Sequence, residues 1–192
     1  MPAKIKVTRE EIVDAALALV QKGSATALSA RSVASEIGCS TQPIFSNFPN
    51  MDGLRTAVID RAWELYTARI ASDMAAGRFP PYKASGMSYI AFAVEEPQLF
   101  KLLFMRDRIA DGDADSEAEQ SDVIEALLQS AGLSITQARR FHREMWIFVH
   151  GLAVMIATRF KAYDEDAVSE MLSDVYRGLL KRFKEDGADC DD

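Results

Sequence analysis

Residues 29–48 read SARSVASEIGCSTQPIFSNF, and their pattern decides the fold. Ser29 opens a short helix whose apolar positions are Val33, Ala34 and Ile37, and Gly38 stands where the chain must reverse. A second short helix follows over about 41–48, with Ser40 as its expected cap. Pro43 is tolerated there, because a proline in the first turn lacks only an N–H that has no helical partner. Ala34 is small enough to let the two helices approach, and Val33, Ile37 and Ile44 are spaced to fill the gap between them. The outer face of the second helix then carries Thr41, Gln42, Ser46 and Asn47, short polar groups suited to base edges and phosphate oxygens in a major groove. An ordinary helical hairpin with a polar surface has the same spacing, so the spacing alone leaves both readings open.

Helical periodicity continues on both sides. Thr8 and Glu11 are placed to form a capping box, and Ile12, Ala15, Ala16, Leu19 and Val20 make one apolar stripe that ends at Gly23. Asn50 is placed to cap a long helix over about 51–75. One stripe of that helix holds Leu54, Val58, Ala62, Leu65 and Ala68, and a second holds Ile59, Trp63, Tyr66 and Ile70. The breaker cluster GRFPP (77–81) reads as a loop. Helical patterns resume over about 83–94, 97–105 and 122–131, then from Ser134 as a cap to about 163, and finally over about 164–185. The polar, acidic stretch RDRIADGDADSEAEQ (106–120) reads as an exposed loop, and the last six residues as a frayed tail. Cys39, in the turn, reads as a small buried hydrophobe. The expectation is an all-α chain of about nine helices, with no internal repeat.

Composition narrows the class. With 192 residues, 48% of them hydrophobic and 27% charged, the chain has the balance of an ordinary globular protein. Its longest nearly apolar stretch, 146–157, is interrupted by His150 and Gly151 and is too short to span a bilayer of about 30 Å. No apolar segment follows the basic residues at the start, and two cysteines cannot build a disulfide framework. The expected setting is cytoplasmic, with no membrane partner. The formal charge is -7, but its distribution is uneven. Residues 1–60 carry six basic and six acidic groups, so the whole acidic excess lies beyond them. A neutral head with basic residues near its start remains able to bind DNA locally.

From Thr8 to Leu54 the chain resembles the DNA-binding domain of TetR-family transcriptional regulators. TREEIVDAALALVQKG and SARSVASEIGCSTQPIFSNFPNMDGL carry the resemblance, with the Ala15–Ala16 pair, Ala34 and Gly38 at the turn, and the aromatic pair Phe45 and Phe48. It implies a helix-turn-helix head over residues 6–53 and a helical effector-binding and dimerisation domain over 54–186. DNA contacts would fall on Ser29, Ala30 and Arg31, and on Thr41, Gln42, Pro43, Phe45, Ser46 and Asn47. Arg31 is the one cation in that set, and an ion pair with Glu36 or Asp60 is its alternative use. The chain departs from the family pattern at three positions. Phe45 stands where tyrosine is usual, Asn47 where histidine is frequent, and Met51 where a lysine commonly meets the DNA backbone. Losing that charge from both subunits of a dimer would lower the salt slope of binding by about 2.

Residues 89–105 and 146–152, marked by Trp146, His150 and Gly151, resemble the carboxy-terminal domain of one subgroup of the same family. This resemblance implies that the last two helices pair with their counterparts in a homodimer. Phe148, Leu152, Met155, Ile156 and Phe160, with Val168, Met171, Leu172, Val175, Leu179 and Phe183, offer more apolar surface than one small body needs to close. A monomer that buries all of it is the alternative. Gly151 is read as permitting close helix packing or widening a cavity. Trp63, Tyr66, Tyr89, Phe100, Phe104, Trp146 and Met155, with His150 as a polar member, are candidates to line a site for a hydrophobic or aromatic effector. Aromatics at helical spacing are more often simply core. His142 and His150, eight residues apart on one helix, are separated by about 12 Å and cannot share a metal. No cofactor is expected, and no nucleophile, phosphate-loop or metalloprotease motif is present. The chain therefore reads as a ligand-responsive regulator, most simply a repressor with a double-stranded DNA operator. A helical adaptor that kept the fold without reading DNA, or an all-α enzyme, are the alternatives.

Overall fold

The computed structural model describes residues 7–23, 25–107 and 121–188. Lys4, Lys6, all of the acidic stretch beyond Asp107 and Cys190 lie outside the described residues. Among those described there are nine α-helices and no strand. In order they are α1 (Arg9–Lys22), α2 (Ala30–Ile37), α3 (Gln42–Asn47), α4 (Met51–Ala75), α5 (Pro81–Glu95), α6 (Pro97–Phe104), α7 (Ser121–Ala131), α8 (Ile135–Ala157) and α9 (Glu165–Ala188). A short 3-10 turn at Ala25–Ala27, which no spacing in the sequence announced, links α1 to α2. No helix among the described residues is long and apolar enough to cross a membrane.

The helices fall into two packing units. The first takes in the described part of Met1–Thr67 together with Glu96–Arg106. Thr8 starts α1 as the spacing predicts: its hydroxyl accepts from Glu11 N–H at 3.1 Å, and the Glu11 carboxylate accepts from Thr8 N–H at 2.8 Å. The buried face of α1 is Ile12, Val13, Ala16, Leu17 and Val20; Ala15 and Leu19, expected in that stripe, are half-exposed. Helix α6 packs on α1 and contributes the fully buried Leu99, Phe100 and Leu103. Asn50 caps α4 by accepting Gly53 N–H at 2.9 Å. Every fourth residue of α4 from Leu54 (Val58, Ala62, Tyr66, Ile70) is buried, while Leu65 and Ala68, expected inside, are exposed. Members of both apolar stripes therefore combine into one buried row.

The resemblance places a boundary after residue 53, whereas this packing unit extends into α4 and gains α6. The first range follows a DNA-binding motif and the second follows side-chain contacts, so the two need not coincide.

The second unit takes in the described part of Ala68–Glu95 and Asp107–Asp192. Helix α5 packs against α7, α8 and α9 and is buried on several faces. It begins at Pro81, inside the expected 77–81 loop; a proline at the first helical position suits the fixed φ of the helix. Gly86 lets α9 approach, since a Cβ there would lie 2.9 Å from Leu172 Cδ2. Ser134 caps α8 with Gln137 in a reciprocal pair of hydrogen bonds. Between α8 and α9, the Phe141 ring meets those of Tyr176 and Phe183 at 5.3 and 5.6 Å. The guanidinium of Arg182 is hydrogen-bonded to Glu144 across the same pair of helices.

Helix α8 ends at Ala157, about six residues before the expected end near Tyr163. The backbone turns into the left-handed region at Arg159, with φ of 58°. The amides of Arg159 and Phe160 then reach back to the carbonyls of Ile156 and Met155, each at 2.9 Å. The Thr158 hydroxyl donates to Val154 O at 2.7 Å, so the last turn is closed without glycine.

Candidate functional site

The α2–α3 corner is built from short-range chemistry. Ser29 accepts from Ser32 N–H at 3.1 Å, and the Ser32 hydroxyl accepts from Ser29 N–H at 3.0 Å, which fixes the start of α2. Gly38 ends it at φ 77°, a backbone conformation that L side chains resist. Cys39 N–H then returns to Ala34 O at 2.9 Å. Val33, Ala34, Ile44 and Phe48 are buried beneath the corner, and Ile37 is half-buried. Full burial of Val33 and Ile44 contributes about 1.5–3 kcal/mol each. Two expectations fail here. Ser40 is not the cap of α3: Thr41 occupies that position and makes no side-chain capping bond, leaving the start of α3 to Pro43. Cys39 is half-exposed rather than buried, and its thiol donates to Ser40 O at 3.2 Å.

Ser29, Arg31, Thr41, Gln42, Phe45 and Ser46 are exposed, while Ala30, Pro43 and Asn47 are half-buried. Phe45 is 52% exposed, an apolar ring standing among polar neighbours on α3. Ser46 and Asn47 already spend donors on their own helix, the first on Gln42 O at 2.9 Å and the second on Pro43 O at 2.8 Å. Thr41 and Gln42 are therefore the polar groups of α3 whose side chains carry no such bond. The alternative use of Arg31 is not realised. Lys22 holds Glu36 at 2.6 Å, and Arg31 makes no ion pair among the described residues. Behind this face, Arg9 lies over the Phe48 ring at 4.4 Å, and Met51 is half-buried at the start of α4.

The eight effector candidates form two separate groupings. In the first unit, Trp63, Tyr66 and Phe104 meet edge to face, with centroids 5.2–5.5 Å apart, and Phe100 joins at 5.1 Å from Phe104. Tyr66 and Phe100 are fully buried, so they are core as well as candidates. In the second unit the buried Tyr89 and the half-buried His150 share a hydrogen bond of 2.8 Å, and Trp146 stacks on the His150 ring at 4.7 Å. Burial lowers the His150 pKa, so the neutral ring is favoured at pH 7. Met155 is half-buried on the same helix. Farther along α8, Tyr82 is bonded to His142 Nδ1 at 3.1 Å. Burial, helped by Tyr176, pushes the Tyr82 phenol far above its ordinary value, so it stays protonated. Among the described residues no group of three or more histidine, cysteine or carboxylate side chains could hold a metal ion.

The second unit also contains a cavity of about 390 Å³ between the end of α4, α5 and the α8–α9 junction. None of the eight candidates lines it. Its charged residues are Arg69, Asp73, Arg78, Glu95 and Glu165. Arg69 holds Glu95 through two bonds of 2.5 and 3.0 Å, which keep that carboxyl below its ordinary pKa. Arg78 pairs with Glu165 at 2.8 Å. No motif in the sequence marks this cavity. Its only local signal was a pair of serines, Ser85 and Ser88, within the otherwise apolar run of α5.

Residues 82–176 match the family model described as "Tetracyclin repressor-like, C-terminal domain". No curated protein matches the chain. Solved structures do. A TetR-like transcriptional regulator from Rhodococcus sp. RHA1 superposes over 93% of this chain and 98% of its own, with 13% identity and a TM-score of 0.67. A member of the TetR family from Streptomyces coelicolor A3 covers 87% and 96%, with 21% identity and a TM-score of 0.58. The multidrug binding protein EbrR, solved with imidazole, covers 87% and 88%, with 19% identity and a TM-score of 0.55. At these identities the structural likeness speaks for the fold.

Proposed function

The chain belongs to the TetR family, and on that premise we propose that it is a DNA-binding transcriptional regulator, most simply a repressor, released from its operator by a small molecule. The observation that carries the reading is the exposed face of the α2–α3 corner. It offers Thr41 and Gln42 free of helix-backbone bonds, an exposed Phe45 and an Arg31 with no ion pair among the described residues. Those groups match the chemistry of a major groove: amide and hydroxyl for base edges, an apolar ring for a thymine methyl, and guanidinium for guanine or phosphate. Ser29 and Ala30, with Pro43, Ser46 and Asn47, complete the proposed contact set. Ser46 and Asn47 act through their remaining acceptor oxygens.

Two such faces are needed to read two half-sites one helical turn apart. A homodimer is supported by the outer surface of α8 and α9. Ile147 is 61% exposed, and no atom lies within 4 Å of where a Cβ on Gly151 or Gly178 would stand. A side chain at position 151 would thus meet no neighbouring helix among the described residues, and its absence leaves room for a partner helix. Leu152, Val168, Leu172 and Phe183 turn inward, whereas Phe148, Met155, Ile156, Met171, Val175 and Leu179 stay partly uncovered.

In the proposed mechanism, α4 is the lever. It starts at Met51, directly after the DNA-reading corner, and runs 25 residues, about 37 Å. An effector that favours one setting of α4 over another opposes DNA binding through a reciprocal coupling, typically about 1–3 kcal/mol. The Trp63–Tyr66–Phe104 cluster on and beside α4, and the Tyr89–His150–Trp146 group, are the proposed contact surfaces for a hydrophobic or aromatic effector. EbrR, described as a multidrug binding protein, shares the fold and supports a ligand-binding body.

The test is selection of bound duplexes from a random DNA pool at physiological salt. Enrichment of a pseudo-palindrome is expected. A folded protein that enriches no sequence would overturn the regulator reading.

A further inference from the structure

We propose that the cavity at the α4–α5–α8–α9 end of the second unit is a binding site for a small, uncharged, largely apolar molecule bearing a carbonyl oxygen. Three buried side-chain polar atoms without a hydrogen-bond partner occur among the described residues, and two of them belong to residues lining this cavity: Ser88 Oγ and Arg69 Nε. Ser88 is 2% exposed. A buried hydroxyl left unpaired costs about 1–3 kcal/mol, and such a cost in a native wall calls for an explanation. Ser88 lines the cavity, and no side chain or carbonyl of the wall accepts from its hydroxyl. Arg69 Nε stands 3.5 Å from Asp73 Oδ2, close enough for ion pairing but without a hydrogen bond. Its two terminal nitrogens are committed to Glu95, which fixes the guanidinium and leaves the Nε–H with only the distant Asp73 carboxylate opposite it.

Both unsatisfied groups can donate, so the complementary ligand atom is an acceptor. The charge of the lining then separates neutral from anionic acceptors. Asp73, Glu95 and Glu165 outnumber Arg69 and Arg78, leaving the wall one negative charge in excess and each arginine already compensated. A carboxylate would lose its hydration to enter and meet like charge. A ketone, ester or amide oxygen meets neither penalty. The remaining wall is apolar, with Met87, Ile90, Ala91, Val94, Ile156 and Val168, and suits a hydrocarbon or aryl body. A volume of about 390 Å³ lies within the ordinary range for small-molecule sites.

Titration calorimetry on the full chain without DNA tests this, using 2-nonanone and acetophenone as neutral carbonyl probes and nonanoate as the anionic control. At least one ketone is expected to bind, with nonanoate at least tenfold weaker. Ser88→Ala is expected to weaken the ketone by about five- to tenfold, the loss of one hydrogen bond, with its thermal melt near that of the parent. Ala91→Phe, which fills the cavity from α5, is expected to abolish the heat of binding. The proposal is overturned if neither ketone binds, if nonanoate binds as tightly as the better ketone, or if Ser88→Ala binds it as tightly as the parent does. Because no DNA is present, ketone binding by a protein that selects no DNA sequence would count against the regulator reading alone.

Discussion

The phenol oxygen of Tyr89 on α5 and Nδ1 of His150 on α8 are 2.8 Å apart, and this bond ties together the two helices with the most extensive packing in the second unit. A neutral imidazole can accept this hydrogen bond at Nδ1 with the phenol donating, which agrees with the direction in which burial moves its pKa. The unfolded chain takes up this proton near the ordinary histidine value of about 6.5, and the folded chain only at lower pH. The stability associated with the neutral ring is therefore complete above about pH 6.5 and is lost as the pH falls through that value towards the folded pKa. Urea unfolding at pH 7.5, 6.5 and 5.5 should show a shallower acid decline for His150→Gln than for the parent. Identical declines would remove His150 from the account.

Left-handed backbone at Arg159 carries a second prediction. A non-glycine residue there costs about 1–2 kcal/mol, and glycine regains it less the added freedom of the unfolded chain. Arg159→Gly should raise stability by about 0.5–1 kcal/mol, seen as a higher urea midpoint at unchanged slope. A lower midpoint would show that the Arg159 side chain contributes more than its backbone costs.

That residue also marks the limit of what the sequence discloses. Thr8, Ser29, Asn50 and Ser134 announce helix starts because capping is written in neighbouring residues, and each cap forms as spaced. Gly38 announces its turn for the same reason. At the end of α8 an arginine takes the conformation glycine would signal, so the apolar pattern runs on to Tyr163 and misleads. The corner proposed to meet DNA was legible as a pair of short helices because its residues lie within twenty positions of one another. Helix α6, by contrast, packs on α1 from some eighty residues away, which no local spacing encodes. The cavity depends on the same kind of distant contact. Arg69, Ser88 and Val168 share its wall only after the chain has folded, and none stands in a motif.

Exposure of Ile147 beside the open position at Gly151 predicts the consequence of adding charge there. Ile147→Glu should convert a micromolar dimer to a monomer in sedimentation, with helix content unchanged. Affinity for a palindromic site should fall with it, since one head alone reads half a site. A parent protein that sediments as a monomer, or a variant that remains dimeric, would contradict this interface.

The central claim is that α3 reads DNA sequence, and fluorescence anisotropy tests it most directly. The parent is compared with the double variant Thr41→Ala, Gln42→Ala on the selected palindrome and on a scrambled duplex of the same length. Both positions are exposed, so the melt should shift by less than about 0.5 kcal/mol. The account predicts that the variant binds both duplexes with the weak affinity the parent shows for the scrambled one. A preference for the palindrome that survives in the variant would contradict it and place sequence reading elsewhere in the chain.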